Sequence, residues 1–292
     1  MPHTERAYDR VEVFSARDLQ EALVLRDQHR EAKILAGGTD LMVEMELGHI
    51  PSAVIDIQSV GELRGIRERP DGLWLGALTT HRMLAESLLV EAWSPSLVEA
   101  CKTVGAIQIQ TRGTLGGNIA NASPAGDTLP MLMALDAEVE VASAARGTRR
   151  IPMAYLFKGY RSLNMEPDEI VVGVHIPEPH VADHSHFRKV GTRLAQAISK
   201  VVMGARVRVI DGVVTEARIA FGSVGPTPVR CTSVEEALTG RPIDPQVARL
   251  VEDAIQPIND VRSTAQYRSR VARNVLEAWL VHLAADDHRE DS

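Results

Sequence analysis

Cysteine is nearly missing: a chain of 292 residues carries only Cys101 and Cys231. A [2Fe–2S] centre takes four thiolates, so this chain cannot hold one by itself. A disulfide between the two is not expected in a reducing compartment, and each reads as a buried, inert thiol. Aromatic residues make up 4%, so the core has to be built from aliphatic side chains. No apolar run approaches the ~20 residues that span a bilayer. The first six residues have no apolar stretch of signal-peptide type, and a cytoplasmic location is expected. Positive charge is also short, with 32 Lys and Arg against 39 Asp and Glu, a net of -7. Scattered cations on an acidic chain suit a phosphate backbone poorly, so nucleic acid is not expected as a partner.

What is present suits a soluble chain with real cores: 45% of residues are hydrophobic and 24% charged. The length fits two domains, or one large domain with an appendage. The opening alternates strand and helix. A strand at 11–14 leads to a helix with Ser15 as its N-cap. A buried strand at 32–36 leads to a helix at 41–47 capped by Thr39 and Asp40, and a strand follows at 53–57. That order predicts an α/β layer. Short strands are expected at 63–67, 73–78, 137–142, 149–152 and 169–176, and helices at 80–86, 95–103 and 130–135. Residues 105–127 are rich in Gly, Asn, Thr and Ser and show no sustained periodicity.

The stretch 177–185 reads as a linker. Its histidines His180 and His184, with the neighbouring His186, lack helical i, i+4 spacing and a carboxylate partner, and so read as a solvated loop. Beyond it the pattern changes. Long β-type runs at 198–210 and 213–222 join at Asp211-Gly212, a hairpin signal. Helices follow at 233–238, 245–255 and 263–285. The last carries an apolar stripe of Tyr267, Val271, Val275, Ala278 and Leu283, read as core with part available as a subunit interface. A sheet followed by helices predicts an α+β domain. The charged tail 286–292 is expected to be disordered, and there is no internal repeat.

Two glycine-bearing segments carry the chemistry. In the first, Ala36, Gly37, Gly38, Thr39 and Asp40 join a buried strand to a helix. Glycines let the backbone approach a ligand, and free N–H groups at a helix start attract a pyrophosphate. Taken alone, the segment reads first as a tight strand–helix turn with no ligand. The segment matches neither G-x-G-x-x-G nor the P-loop pattern. The nearby Met42 and Met45 read as helix core. The second segment runs irregularly from Gln110 to Asp127 through Thr114, Gly116, Gly117, Asn118 and Asn121. It offers hydroxyls, amides, close-approach glycines and one carboxylate, which suits a dinucleotide; the alternative is a structural Ω-loop.

The pair A-G-G-T-D-L (36–41) and T-L-G-G-N-I-A-N-A-S-P-A-G-D (114–127) resembles the flavin-binding subunit of the xanthine dehydrogenase and carbon monoxide dehydrogenase family. F-R-K-V-G-T-R (187–193), A-F-G-S-V-G-P-T-P-V-R (220–230) and D-V-R-S-T-A-Q-Y-R (260–268) agree with it, in family order and over nearly the whole chain. The resemblance implies an α+β fold with an FAD-binding domain of the vanillyl-alcohol-oxidase type. That domain would span 1–178, in α/β subdomains of about 1–60 and 61–178, with a C-terminal α+β domain over 184–285.

It also implies roles. Lys33, Ile34, Leu35, Ala36, Gly37, Gly38, Thr39, Asp40 and Leu41 would wrap the FAD pyrophosphate, with Thr114, Gly116, Gly117 and Asn118 opposite. Asn121 and Asp127 would reach the flavin or its ribityl and adenosine portions. Val171 would contact adenine, and Lys189 would lie near the flavin ring. No acid–base dyad is expected. In such an enzyme a large subunit with a molybdenum cofactor hydroxylates the substrate. [2Fe–2S] clusters on a small subunit pass electrons to this FAD, and FAD hands them to an external acceptor; the whole would be a dimer of heterotrimers. The segment 221–230 leans toward xanthine dehydrogenase, hence a purine or other N-heterocycle as substrate. The alternatives are a carbon monoxide dehydrogenase-type medium subunit, a stand-alone FAD oxidase of the same fold, and a binding module that lost the cofactor.

Overall fold

The computed structural model describes residues 11–290, with side chains as far as 285. Three strands, β1 (Glu12–Ser15), β2 (Lys33–Leu35) and β3 (Ala53–Asp56), make a parallel sheet in the order β1-β3-β2. Helices α1 (Leu19–Gln28) and α2 (Leu41–Glu46) supply the crossovers. Ser15 pairs with Asp56 as the end of β1, so it does not cap α1. Asp18 does, its carboxylate accepting from the Glu21 N–H at 2.8 Å. Within α2 only Met45 is buried; Met42 and Val43 are exposed, so this helix is less a core element than its composition suggests.

The second unit holds an antiparallel sheet. Its strands are β4 (Ile66–Arg69), β5 (Gly72–Gly76), β6 (Glu138–Ser143), β7 (Gly147–Pro152) and β10 (Ile170–Ile176), in the order β4-β5-β10-β6-β7. A small hairpin of β8 (Phe157–Gly159) and β9 (Ser162–Leu163) stands beside it. Helices α3 (His81–Ala85), α4 (Leu88–Trp93), α5 (Pro95–Lys102), α6 (Ile107–Arg112), α7 (Leu115–Asn121) and α8 (Leu129–Ala134) fill the long connection between β5 and β6.

Two of those helices fall where no periodicity is visible in the sequence. In α7, two glycines and two asparagines are poor helix formers. The helix stands because the Thr114 hydroxyl accepts from the Gly117 N–H at 3.1 Å and because Leu115 and Ile119, one turn apart, are fully buried. Leu78, Ala142, Ile170 and Val172 of this second unit pack in one core with Ile55 and Ile57 of the first, so the two units share an interior.

The third unit is the antiparallel sheet β11 (Asp183–Val190), β12 (Val201–Ile210), β13 (Val213–Gly222), β14 (Val229–Arg230), in that order. Asp211 and Gly212 both have positive φ at the β12–β13 turn, as a two-residue hairpin requires. β11 begins inside the expected linker and carries His184 and His186; the His186 ring stacks on Trp279, with centroids 5.6 Å apart. Among the described residues no group of His, Cys, Asp and Glu is placed to hold a metal.

Helices α9 (Thr232–Leu238), α10 (Val251–Ala254) and α11 (Ala265–Glu290) pack against the sheet, with a 3-10 turn at Pro245–Leu250 in place of most of the helix expected at 245–255. The buried stripe of α11 is Ala272, Leu276, Trp279, Leu280 and Leu283. Of the residues expected there, Leu283 is buried, Val271 and Val275 only flank the stripe, and Ala278 is exposed. The buried stripe is offset by one position from the expected one, with Leu276 and Leu280 in the core and Val271 and Val275 at its edge. Backbone 286–290 continues α11 instead of forming a disordered tail; 291–292 lie outside the described residues. No helix among the described residues is long and apolar enough to cross a membrane. The third unit docks through α8: a Cβ at Gly204 would lie 2.5 Å from the Met131 backbone, so only glycine admits that approach.

Candidate functional site

The two glycine segments meet. A Cβ placed on Gly37 would lie 2.0 Å from the Arg112 carbonyl oxygen and 3.1 Å from the Gly113 Cα. The loop after β2 therefore lies directly on the backbone that leads into α7. Gly38 turns the chain with φ +77, a left-handed conformation that favours glycine. On the other side, Gly116 is pressed against β5's exit: its Cβ would meet the Ala77 Cβ at 2.6 Å. Gly117 differs. Its Cβ would meet only the Thr114 Oγ1, at 3.0 Å.

Between these segments opens a cavity of ≈ 620 Å³. Lys33, Ile34, Ala36, Gly37, Gly38, Thr39, Asp40 and Leu41 line one wall, and Thr114, Gly116, Gly117, Asn118 and Asn121 line the other. The Asn121 amide donates to the Asp40 carboxylate at 3.0 Å and so ties the walls together. Asp40 itself has helical φ/ψ and makes no side-chain cap on α2; its carboxylate accepts from Asn121 instead. Asn118 is held from behind, its Oδ1 accepting from the Thr128 hydroxyl at 2.7 Å. Val171 lines the far end, beside Ile170 and Glu169. The Glu169 carboxylate is fixed by the Arg149 guanidinium at 2.6 and 2.8 Å.

Three expected residues do not line this cavity. Leu35 packs under the Gly38 turn, its Cδ1 3.3 Å from where a Gly38 Cβ would be. Asp127 and Lys189 instead form a buried ion pair at 2.6 Å, with Lys189 Nζ also donating to the Thr103 carbonyl at 2.8 Å. Burial pushes the Asp127 carboxyl up to about 6 against the pull of the Lys189 ammonium. The pair joins the strand β11 to the end of the second glycine segment, and the other Asp127 oxygen, Oδ1, is buried with no hydrogen-bond partner among the described residues. Burial is also why the two thiols are inert: it pushes Cys101 and Cys231 up to about 12.

Sequence reasoning missed other wall residues. Arg161, at the tip of the β8–β9 hairpin, reaches Glu44 of α2 at 2.9 Å and forms a rim. His81, the first residue of α3, is 2% exposed and lines the floor. The only signal for it was a histidine at the start of a short helix whose other buried residues are Leu84 and Ala85. The cavity fits a dinucleotide on three counts. Its size is that of a small-molecule site. One glycine face is open to it. Arg26, Lys33 and Arg161 offer cationic groups along its wall. A strand–glycine–helix loop facing a second glycine segment across this cavity is an arrangement that can hold a dinucleotide cofactor.

The comparisons agree. Residues 9–179 match the model of the FAD binding domain in molybdopterin dehydrogenase, and 185–282 match the CO dehydrogenase flavoprotein C-terminal domain. The chain is 32% identical to the xanthine dehydrogenase FAD-binding subunit of Escherichia coli O157:H7, over 90% of each chain. It is 34% identical to caffeine dehydrogenase subunit beta of Pseudomonas sp. (strain CBB1), over 91% of this chain and 92% of that one. Its fold superposes with TM-score 0.87, at 30% identity, on a chain of the carbon monoxide dehydrogenase from Hydrogenophaga pseudoflava, covering 92% of this chain and 95% of that one. The chain belongs to the FAD-binding medium-subunit family of the molybdenum hydroxylases, which are oxidoreductases, and its cofactor is FAD.

Proposed function

We propose that this chain is the electron-transfer subunit of a three-subunit molybdenum hydroxylase. It would receive electrons from [2Fe–2S] clusters on a small partner and deliver them to an external acceptor, in the cytoplasm. A large partner would carry the molybdenum cofactor and the substrate, and the whole would be a dimer of such trimers. Bound FAD would supply the redox chemistry; this chain's residues bind it, orient it and exclude water. The observation that carries the reading is that both glycine segments wall one and the same cavity.

Within it, the loop from Ala36 to Leu41 and the stretch from Thr114 to Asn118 would hold the diphosphate. Asn121 would fix the separation of the walls through Asp40, and Val171 would meet the adenine. Leu35, Asp127 and Lys189 would act behind the walls, by packing and by pairing. A purine or related N-heterocycle is the proposed substrate of the assembly. Support comes from relatives named for xanthine and caffeine, both purines.

The test is to purify the full chain with its co-purifying partners and record its visible spectrum. We expect flavin bands that leave with denaturation, a large and a small partner, and reduction of the flavin by xanthine or hypoxanthine. A colourless chain that takes up no added FAD sinks the reading. Flavin reduction only by a non-heterocyclic substrate sinks the purine part alone.

A further inference from the structure

The wall of the cavity holds a histidine ring that makes no hydrogen bond among the described residues. His81 is 2% exposed and lines the cavity. Its Nδ1 is sealed from solvent and has no hydrogen-bond partner among the described residues. Such a group is costly to leave buried, and native structures rarely do so without a reason.

The backbone around it is fixed. The His81 N–H donates to the Gly113 carbonyl at 3.1 Å, the Leu115 N–H donates to the Thr79 carbonyl at 3.0 Å, and the Thr80 hydroxyl caps α3 by accepting from Met83. The ring sits where the glycine segments join. A Cβ built on Gly113 would be 3.4 Å from the His81 Cδ2 and 3.4 Å from the Thr39 Oγ1. Gly113 in turn is 3.1 Å from a Gly37 Cβ.

Burial drives the imidazole down to about 4, so it is neutral near pH 7. A neutral ring has one N–H and one bare nitrogen. A proton on Nδ1 would be a sealed donor with no acceptor, so the proton belongs on Nε2, the ring nitrogen that is not sealed from solvent.

We propose that His81 is a cofactor-positioning residue whose Nε2–H donates a hydrogen bond to an oxygen of the FAD diphosphate at the seam between the two glycine segments. The inference rests on the reading of the cavity as the FAD site. A neutral donor here holds the diphosphate in register without adding a charge to the floor, and because the backbone is pinned on both sides it needs no rearrangement when the cofactor enters.

The full chain, stripped of FAD, tests this against His81→Phe and His81→Gln. A merely structural histidine predicts that H81F lowers the melting temperature of the apo and FAD-bound forms equally. We expect otherwise. Apo H81F melts at or above the wild type, because an unsatisfied polar group has been replaced by an apolar ring of similar shape. Its affinity for FAD falls about tenfold, the loss of one hydrogen bond to a charged group. The ³¹P resonances of its bound FAD move relative to the wild-type complex. H81Q, which keeps a side-chain N–H, restores most of the affinity.

Unchanged FAD affinity and ³¹P shifts in H81F overturn the proposal while leaving the FAD site standing. A wild-type chain that binds no FAD overturns the site and this role together. Should H81F not fold, the His81 ¹⁵Nε2 resonance of the wild type, assigned by its absence in H81Q, decides: it moves on addition of FAD if His81 is the donor, and stays put if it is not.

Discussion

The two glycine pairs look alike in sequence and are used differently. Gly37-Gly38 sits in a loop, where one glycine allows backbone to touch backbone and the other takes a left-handed turn. Gly116-Gly117 lies in the first turn of a helix, where one glycine packs on β5's exit and the other leaves the cavity side clear. In the first pair both glycines serve the protein's own backbone. In the second, only Gly116 does. A glycine motif is thus a set of separate steric demands, and each demand can be broken on its own.

The largest effect is expected at Gly37. An alanine there puts a methyl 2.0 Å from the Arg112 carbonyl oxygen, which is backbone and cannot swing away. The seam must open. We expect G37A to lower apo stability by about 3 kcal/mol, the upper range for overpacking a tight contact, and to lose FAD as well. Urea denaturation of the apo chain and the flavin content of the purified variant measure the two parts. A variant of wild-type stability means the segments do not meet at Gly37.

The seam also predicts a pH dependence. The His81 imidazole has its ordinary value of 6.5 when unfolded and about 4 when folded. Between those values the unfolded chain binds the proton and the folded chain does not. Stability of the apo chain therefore falls as the pH drops from about 6.5 to about 4, by roughly 3 kcal/mol from this group. Asp127 works against it over part of that range: its folded value of about 6 lies above its ordinary 3.8, so falling pH favours the folded state there. The difference between wild type and H81F, measured by denaturation at pH 7 and pH 5, isolates the histidine. The wild type should lose stability more steeply on acidification. Parallel curves would mean that His81 is not buried as a neutral ring.

Gly117 sharpens the contrast with Gly37. A side chain there meets only the Thr114 hydroxyl, at 3.0 Å, and otherwise enters the cavity. Gly117→Val weakens the cap but removes a poor helix former, so apo stability should change by less than about 1 kcal/mol. FAD retention should be lost, since the branch occupies the approach to the phosphates. A G117V protein with stoichiometric FAD would move the diphosphate away from α7.

Much of the architecture was legible. The opening β-α-β-α-β order, the Asp211-Gly212 hairpin and the change of pattern beyond residue 177 all come from local signals: period, turn residues, capping. The cavity walls were legible as two segments because glycine next to a buried strand is a local signal too. What was not legible depends on distance in three dimensions. Nothing in L-G-G-N-I-A-N shows a helix, because its stability comes from Leu115 and Ile119 finding a core. Nothing near Asp127 announces Lys189, 62 residues away, as its partner. His81 and Arg161 reach the cavity from elements that sequence alone does not place beside it.

Gly38 gives the smallest expected effect and the finest test of the comparison. Its demand is purely conformational: φ is +77, and the nearest atom to an added Cβ is the flexible Leu35 Cδ1 at 3.3 Å. Gly38→Ala should cost about 1 kcal/mol, the penalty for a Cβ in the left-handed region. Asparagine tolerates that region better, so Gly38→Asn should cost less than the alanine, although its side chain is larger. Size and cost thus run in opposite order at Gly38. At Gly37, where the obstacle is the Arg112 carbonyl, alanine is the mildest substitution and asparagine worse. Melting temperatures of the four apo variants give both orders. If asparagine is worse than alanine at both sites, Gly38 is a packing position like its neighbour, and the distinction drawn within the first pair is lost.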